Sequence, residues 1–160
     1  MICKFSCLYG LKRYQEIIDL GQNIPDLEND NIKLYYFFGL ALAREAHYSE
    51  ADIVFGKIKT LEPENTLYLL GQAEIFYCQQ DYSTAIEIYQ QVIQTQADEP
   101  TIWYNMACCY SLQQKAAEAI AALKKAIAIE PKQTIELIRG DEDFISLKDE
   151  QEFQNLLILD

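Results

Sequence analysis

The strongest constraint on this chain is a period. Tyr14, Tyr48 and Tyr82 follow one another at a constant step of 34 residues, and the next step lands on Ala116. Three residues on stand Ile17, Ala51, Ala85 and Ala119. Seven on stand Gly21, Phe55, Tyr89 and Leu123, and ten on stand Ile24, Ile58, Val92 and Ala126. The register holds without an insertion. The segments "LYYFFGLALARE", "YLLGQAEIFYCQ" and "IWYNMACCYSLQ" superimpose at the same step. A chain with such a period is built of equal supersecondary units. None can bury its apolar face alone, so neighbours must stack.

Within each unit the apolar residues recur at helical spacing on both sides of a short polar turn, "REAHYS", "QQDYS" or "QQKA". This predicts pairs of amphipathic helices and no strands. Small residues at the Gly39/Ala73/Ala107 and Ala51/Ala85/Ala119 positions allow close helix approach. Pro63 and Pro131 stop one pair and start the next.

The third full unit carries Trp103, Met106, Ala107, Tyr110, Ala119, Leu123 and Pro131, and the first carries Tyr35, Phe38, Gly39, Leu42, Ala51, Phe55 and Pro63. The period and these residues resemble the tetratricopeptide repeat. The middle unit departs from the pattern at Gln72 and at Ala97, where proline is usual. The resemblance implies an all-α fold, a right-handed solenoid of antiparallel helix pairs, forming one domain over residues 1–160. Its expected divisions are a degenerate first unit at 1–31, full units at 32–65, 66–99 and 100–133, and a closing helix and tail at 134–160. The degenerate start suits a terminal repeat facing water, or a fragment of a longer array. The stretch "DEDFISLKDEQEFQNLL" resembles a tail that ends many bacterial arrays of this kind. It places Phe144, Leu147, Phe153, Leu156 and Leu157 as residues closing the last groove.

Charge narrows the partners. The net charge of −12 and pI near 4.4 repel phosphate backbones and anionic lipid surfaces, which argues against nucleic acid and membrane. There is no apolar run long enough for a membrane span and no signal-peptide pattern, so neither is expected. Five cysteines, an odd number, exclude a fully paired disulfide framework within one chain and suit the reducing cytoplasm.

The chemistry expected of these residues is packing. Trp103 and Tyr110 occupy repeat positions, and the neighbouring Cys108 and Cys109 fall at a groove-facing and a variable position. There is one histidine, His47, in an inter-helix turn, and no CxxC motif; zinc would need about four ligands. The carboxylates gather in turns, as in Asp26/Glu28/Asp30, Glu62/Glu64, Asp98/Glu99 and Asp141/Glu142/Asp143. Solvation and helix capping explain them better than acid–base catalysis. No enzyme activity, metal or cofactor is expected.

What remains is a surface. In proteins of the resembling family, the first helix of each pair lines a concave groove at its second, fifth, sixth, ninth and twelfth positions. Carried over, these include Lys33, Tyr36 and Leu40 in the first full unit, with Phe37 and Ala43 beside them. In the second they include Leu67, Leu70, Glu74 and Tyr77, with Gly71. In the third they include Thr101, Tyr104, Asn105 and Cys108, with Ser111. The cations that clamp a terminal carboxylate in some relatives are missing here. The groove is instead apolar and aromatic, suited to a peptide or amphipathic helix of another protein, with Tyr77 and Tyr104 as central anchors. The expected function is a cytosolic adaptor or assembly factor. The alternatives are a small acidic secretion chaperone of the type III translocator class and a structural repeat protein that self-associates.

Overall fold

The computed structural model describes residues 1–23 and 31–158. The Ile24 position and the turn carboxylates Asp26, Glu28 and Asp30 lie outside the described residues. Every regular element among the described residues is helical, as the period requires. The chain divides into two compact units, Met1–Gln80 and Asp81–Asp160.

The first unit holds α1 (Ile2–Gly10), α2 (Tyr14–Gln22), α3 (Ile32–Arg44), α4 (Tyr48–Leu61) and α5 (Leu67–Cys78). Helices α1 and α2 pack on each other and on α3, and α3, α4 and α5 pack together. The fully buried Phe55 of α4 sits at their centre. Its ring occupies the space that a Cβ would fill at Gly39 on α3 and at Gly71 on α5. Missing side chains at both positions therefore let two helices close on one aromatic. Gly71 serves this contact rather than a groove lining. Gly21, where an aromatic is usual, receives the ring of Phe38 from α3. Gln72, polar at an apolar position, donates to Asp52 Oδ1 at 2.5 Å.

The second unit holds α6 (Tyr82–Ile93), α7 (Pro100–Leu112), α8 (Ala116–Ile129), α9 (Pro131–Gly140), a 3-10 helix η1 (Glu142–Leu147) and α10 (Gln151–Leu156). Helix α7 packs between α6 and α8 and also meets η1, while α9 and α10 lie on α8. Pro100 and Pro131 stand in the first turns of α7 and α9, where a missing N–H costs nothing. The carbonyl of Ala97 accepts from the Trp103 indole N–H at 2.8 Å, which ties down the loop that lacks its usual proline.

The turns repeat as faithfully as the helices. Lys12, Ala46, Gln80 and Gln114 all have positive φ, between 56° and 63°, and they stand at the same 34-residue step. The Arg13 N–H reaches Leu8 O at 2.9 Å, His47 reaches Leu42 at 2.8 Å and Lys115 reaches Tyr110 at 2.9 Å. These are the long bonds of a left-handed helix C-cap. The cap ends each first helix and reverses the chain.

Candidate functional site

In the first unit the predicted liners are only partly brought to the surface. Tyr36, Leu67, Leu70 and Tyr77 are half-buried, Lys33 is exposed, and Leu40 is buried in the core. Lys33 belongs to the start of α3, where its backbone N–H donates to the capping Asn31 side chain at 3.1 Å. The Tyr36 ring packs against Phe37 and Phe55, each with a centroid 6.1 Å away.

Glu74 is not an open groove residue. The residue is 7% exposed, and its carboxylate lies 2.5 Å from Nε of Arg44, which ends α3. The Arg44 guanidinium also stacks 5.1 Å over the Tyr77 ring. The Tyr9 hydroxyl of α1 hydrogen-bonds both Arg44 and Glu74, and the Cys78 thiol donates to Glu74 at 3.8 Å. Burial pushes the Glu74 carboxyl up, and the guanidinium opposes that shift. For Arg44, burial is the largest single influence and disfavours the charge, but Glu74, Tyr9 and Cys78 together outweigh it and hold the side chain cationic. Burial, then the Glu74 carboxylate, push the Cys78 thiol up to about 12. A thiol held protonated in this way is a poor nucleophile. The cluster ties α1, α3 and α5 together through Tyr9, Arg44 and Glu74.

In the second unit the equivalent face of α7 is covered by the chain itself. The Tyr104 hydroxyl donates to Asp141 Oδ2 at 2.5 Å, and the Cys108 thiol donates to the same oxygen at 3.8 Å. The Ser111 hydroxyl donates to the backbone carbonyl of Asp143 at 2.6 Å and lies 3.0 Å from Ser146 Oγ. The Phe144 ring meets Tyr104 edge-on, centroids 5.6 Å apart, backed by Phe153 at 6.1 Å. Of the expected closing residues, Phe144, Leu147, Phe153 and Leu156 are buried and Leu157 is half-buried. Thr101 stays exposed and Asn105 half-buried. Tyr104, read from the sequence as an anchor for a foreign segment, here anchors the chain's own tail.

Cys108, Asp141 and Asp143 offer three ligand atoms within 4.8 Å of one another, a spacing a cation could bridge. The thiol and Asp141 are already bonded to each other, and burial, with Asp141 next, raises the thiol pKa well above its ordinary value. No helix among the described residues is long and apolar enough to cross a membrane.

Sequence reasoning overlooked Arg44, Tyr9 and the polar side of the tail. One signal was present: an acid at a packed helix position demands a cation, and Arg44 stands at the end of the preceding first helix.

A family model described as Tetratricopeptide repeat matches residues 79–137. BBSome complex member BBS4 of Bos taurus is 24% identical over 114 residues, covering 71% of this chain and 22% of that protein. The BBS4 homolog of Drosophila melanogaster is 24% identical over 125 residues, covering 75% and 25%. The chain thus spans about a quarter or less of the length of these curated relatives. Among solved structures, MamA of Desulfovibrio magneticus RS-1 aligns with a TM-score of 0.57 at 17% identity, covering 96% of this chain and 93% of that one. The Yersinia enterocolitica type III secretion translocator chaperone SycD aligns with a TM-score of 0.53 at 21% identity, covering 83% and 93%.

Proposed function

This chain carries tetratricopeptide repeats, and from that premise we propose that it is a protein-interaction module rather than an enzyme. It takes an apolar peptide or one side of an amphipathic helix on the first-unit face formed by Tyr36, Leu67, Leu70 and Tyr77. The observation that carries this reading is the state of those side chains. They are large and apolar or aromatic, they are half-buried, and the Arg44–Glu74 pair links the two helices that carry them. The same positions in the second unit meet the chain's own tail, which leaves the first-unit face as the better receptor for a foreign segment. Five unbridged cysteines support a reducing compartment such as the cytoplasm.

The test is affinity capture from extracts of the source organism, then calorimetry with the recovered partner. Leu70→Ala and Leu67→Ala should each weaken binding by about 1–3 kcal/mol, with unchanged circular dichroism. Glu87→Ala, on exposed surface of α6, should leave affinity alone. Loss of binding in the Glu87 variant only would move the site off this face. A partner that is a second copy of the chain would make the protein self-associating.

A further inference from the structure

The tail contact has the form of a ligand seated in a receptor. Helix α7 supplies a row of neutral donors at successive turns: the Tyr104 hydroxyl, the Cys108 thiol and the Ser111 hydroxyl. The tail supplies acceptors in matching order, the Asp141 carboxylate and the Asp143 carbonyl, followed by the inserted ring of Phe144. Leu147 completes the segment and is 1% exposed. By contrast Glu142 and Ile145, which alternate with these contacts, face solvent. The segment is a 3-10 helix, a form with poor internal hydrogen-bond geometry, so its order comes largely from the surface beneath it.

We infer that the α7 surface is a second binding site, selective for an acidic-aromatic segment of another protein with Asp-x-x-Phe chemistry, and that residues 141–147 are its tethered occupant. This goes beyond the first-unit reading and uses a different face. Selectivity follows from the donor row. At the equivalent positions α5 carries Leu70, Glu74 and Tyr77, where an acid in place of the donor thiol would repel an acidic segment. Tethering sets the competition, because a linked segment acts at an effective concentration on the order of millimolar. A free segment therefore gains access only as the tail is displaced.

The test uses the full chain and a fluorescent peptide with the sequence RGDEDFISLKD. Phe144→Asp displaces the tail, verified by faster hydrogen exchange over 141–157 with α7 and α8 still protected. The peptide should then bind at least tenfold more tightly to Phe144→Asp than to the wild type. Adding Tyr104→Phe, or replacing the peptide's phenylalanine by alanine, should weaken that binding at least tenfold, and Leu70→Ala should not affect it. Equal, weak binding to the wild type and to a tail-displaced variant overturns the proposal. A concentration-dependent dimer that excludes the peptide also overturns it, by assigning the site to the tail of a second copy. Should Phe144→Asp unfold the second unit, wild-type exchange decides. A tail that opens ahead of α7 and α8 supports the proposal, and one that opens only together with them overturns it.

Discussion

The Arg44 guanidinium lies 2.5 Å from the Glu74 carboxylate, and the acid of that pair is buried. A buried charge without its partner is costly, whereas replacing both members is often tolerated. Arg44→Met should therefore destabilise the protein by about 3 kcal/mol, the low end for such pairs because the arginine is a third exposed. Adding Glu74→Gln should recover part of the loss. Urea unfolding of both variants checks this, and a double variant less stable than Arg44→Met would contradict it.

Phe55 fills the space beside Gly39 and Gly71. A methyl at Gly71 has no room against a ring that is itself fully buried. Gly71→Ala should cost about 1–3 kcal/mol by overpacking, and Phe55→Leu in the same chain should restore some of it, since neighbouring sites couple. Melting temperatures of the single and double variants test the contact. An unchanged melting temperature for Gly71→Ala would refute it.

The four left-handed turn residues each carry a side chain where glycine fits best. Ala46→Gly should stabilise the first unit by about 1 kcal/mol. A lower unfolding midpoint for this variant would show that the turn is not strained.

The thiols should sort by environment. Cys3 and Cys7 are exposed, whereas Cys108 and Cys109 are buried and Cys78 is half-buried. At pH 8, iodoacetamide should modify Cys3 and Cys7 first, as mass spectrometry of the peptides would show. Because the folded Cys78 thiol is raised from 9.0 to about 12, the native state keeps its proton longer than the unfolded chain. The stabilising effect of that proton is full below the ordinary thiol pKa and is lost as pH rises from about 9 towards 12. Cys78→Ala should flatten the alkaline decline in stability, and a slope identical to wild type would exclude this group as a source.

Much of this was legible because repetition is a strong signal. The helices, their pairing and the role of Phe55 at its repeat position follow from the step between Tyr14 and Tyr48. The tail's apolar residues were also readable, since Phe144 and Phe153 have no other core to enter. The polar network was not. Glu74 looks like any acid lining a groove until Arg44 and Tyr9, distant in sequence, are brought beside it. Tyr104 likewise carries no mark that its partner is Asp141. Side-chain pairings across non-adjacent helices depend on three-dimensional register, which a single sequence encodes only indirectly.

On the proposed function, the first-unit face receives a partner protein. The most direct measurement places a photo-crosslinking benzoylphenylalanine at Leu70, on that face, and separately at Ile53, an exposed position on α4. Leu70 should capture a discrete protein partner, and unlabelled wild-type protein should suppress the capture, while Ile53 should capture nothing specific. Specific capture from Ile53 and none from Leu70 would contradict it.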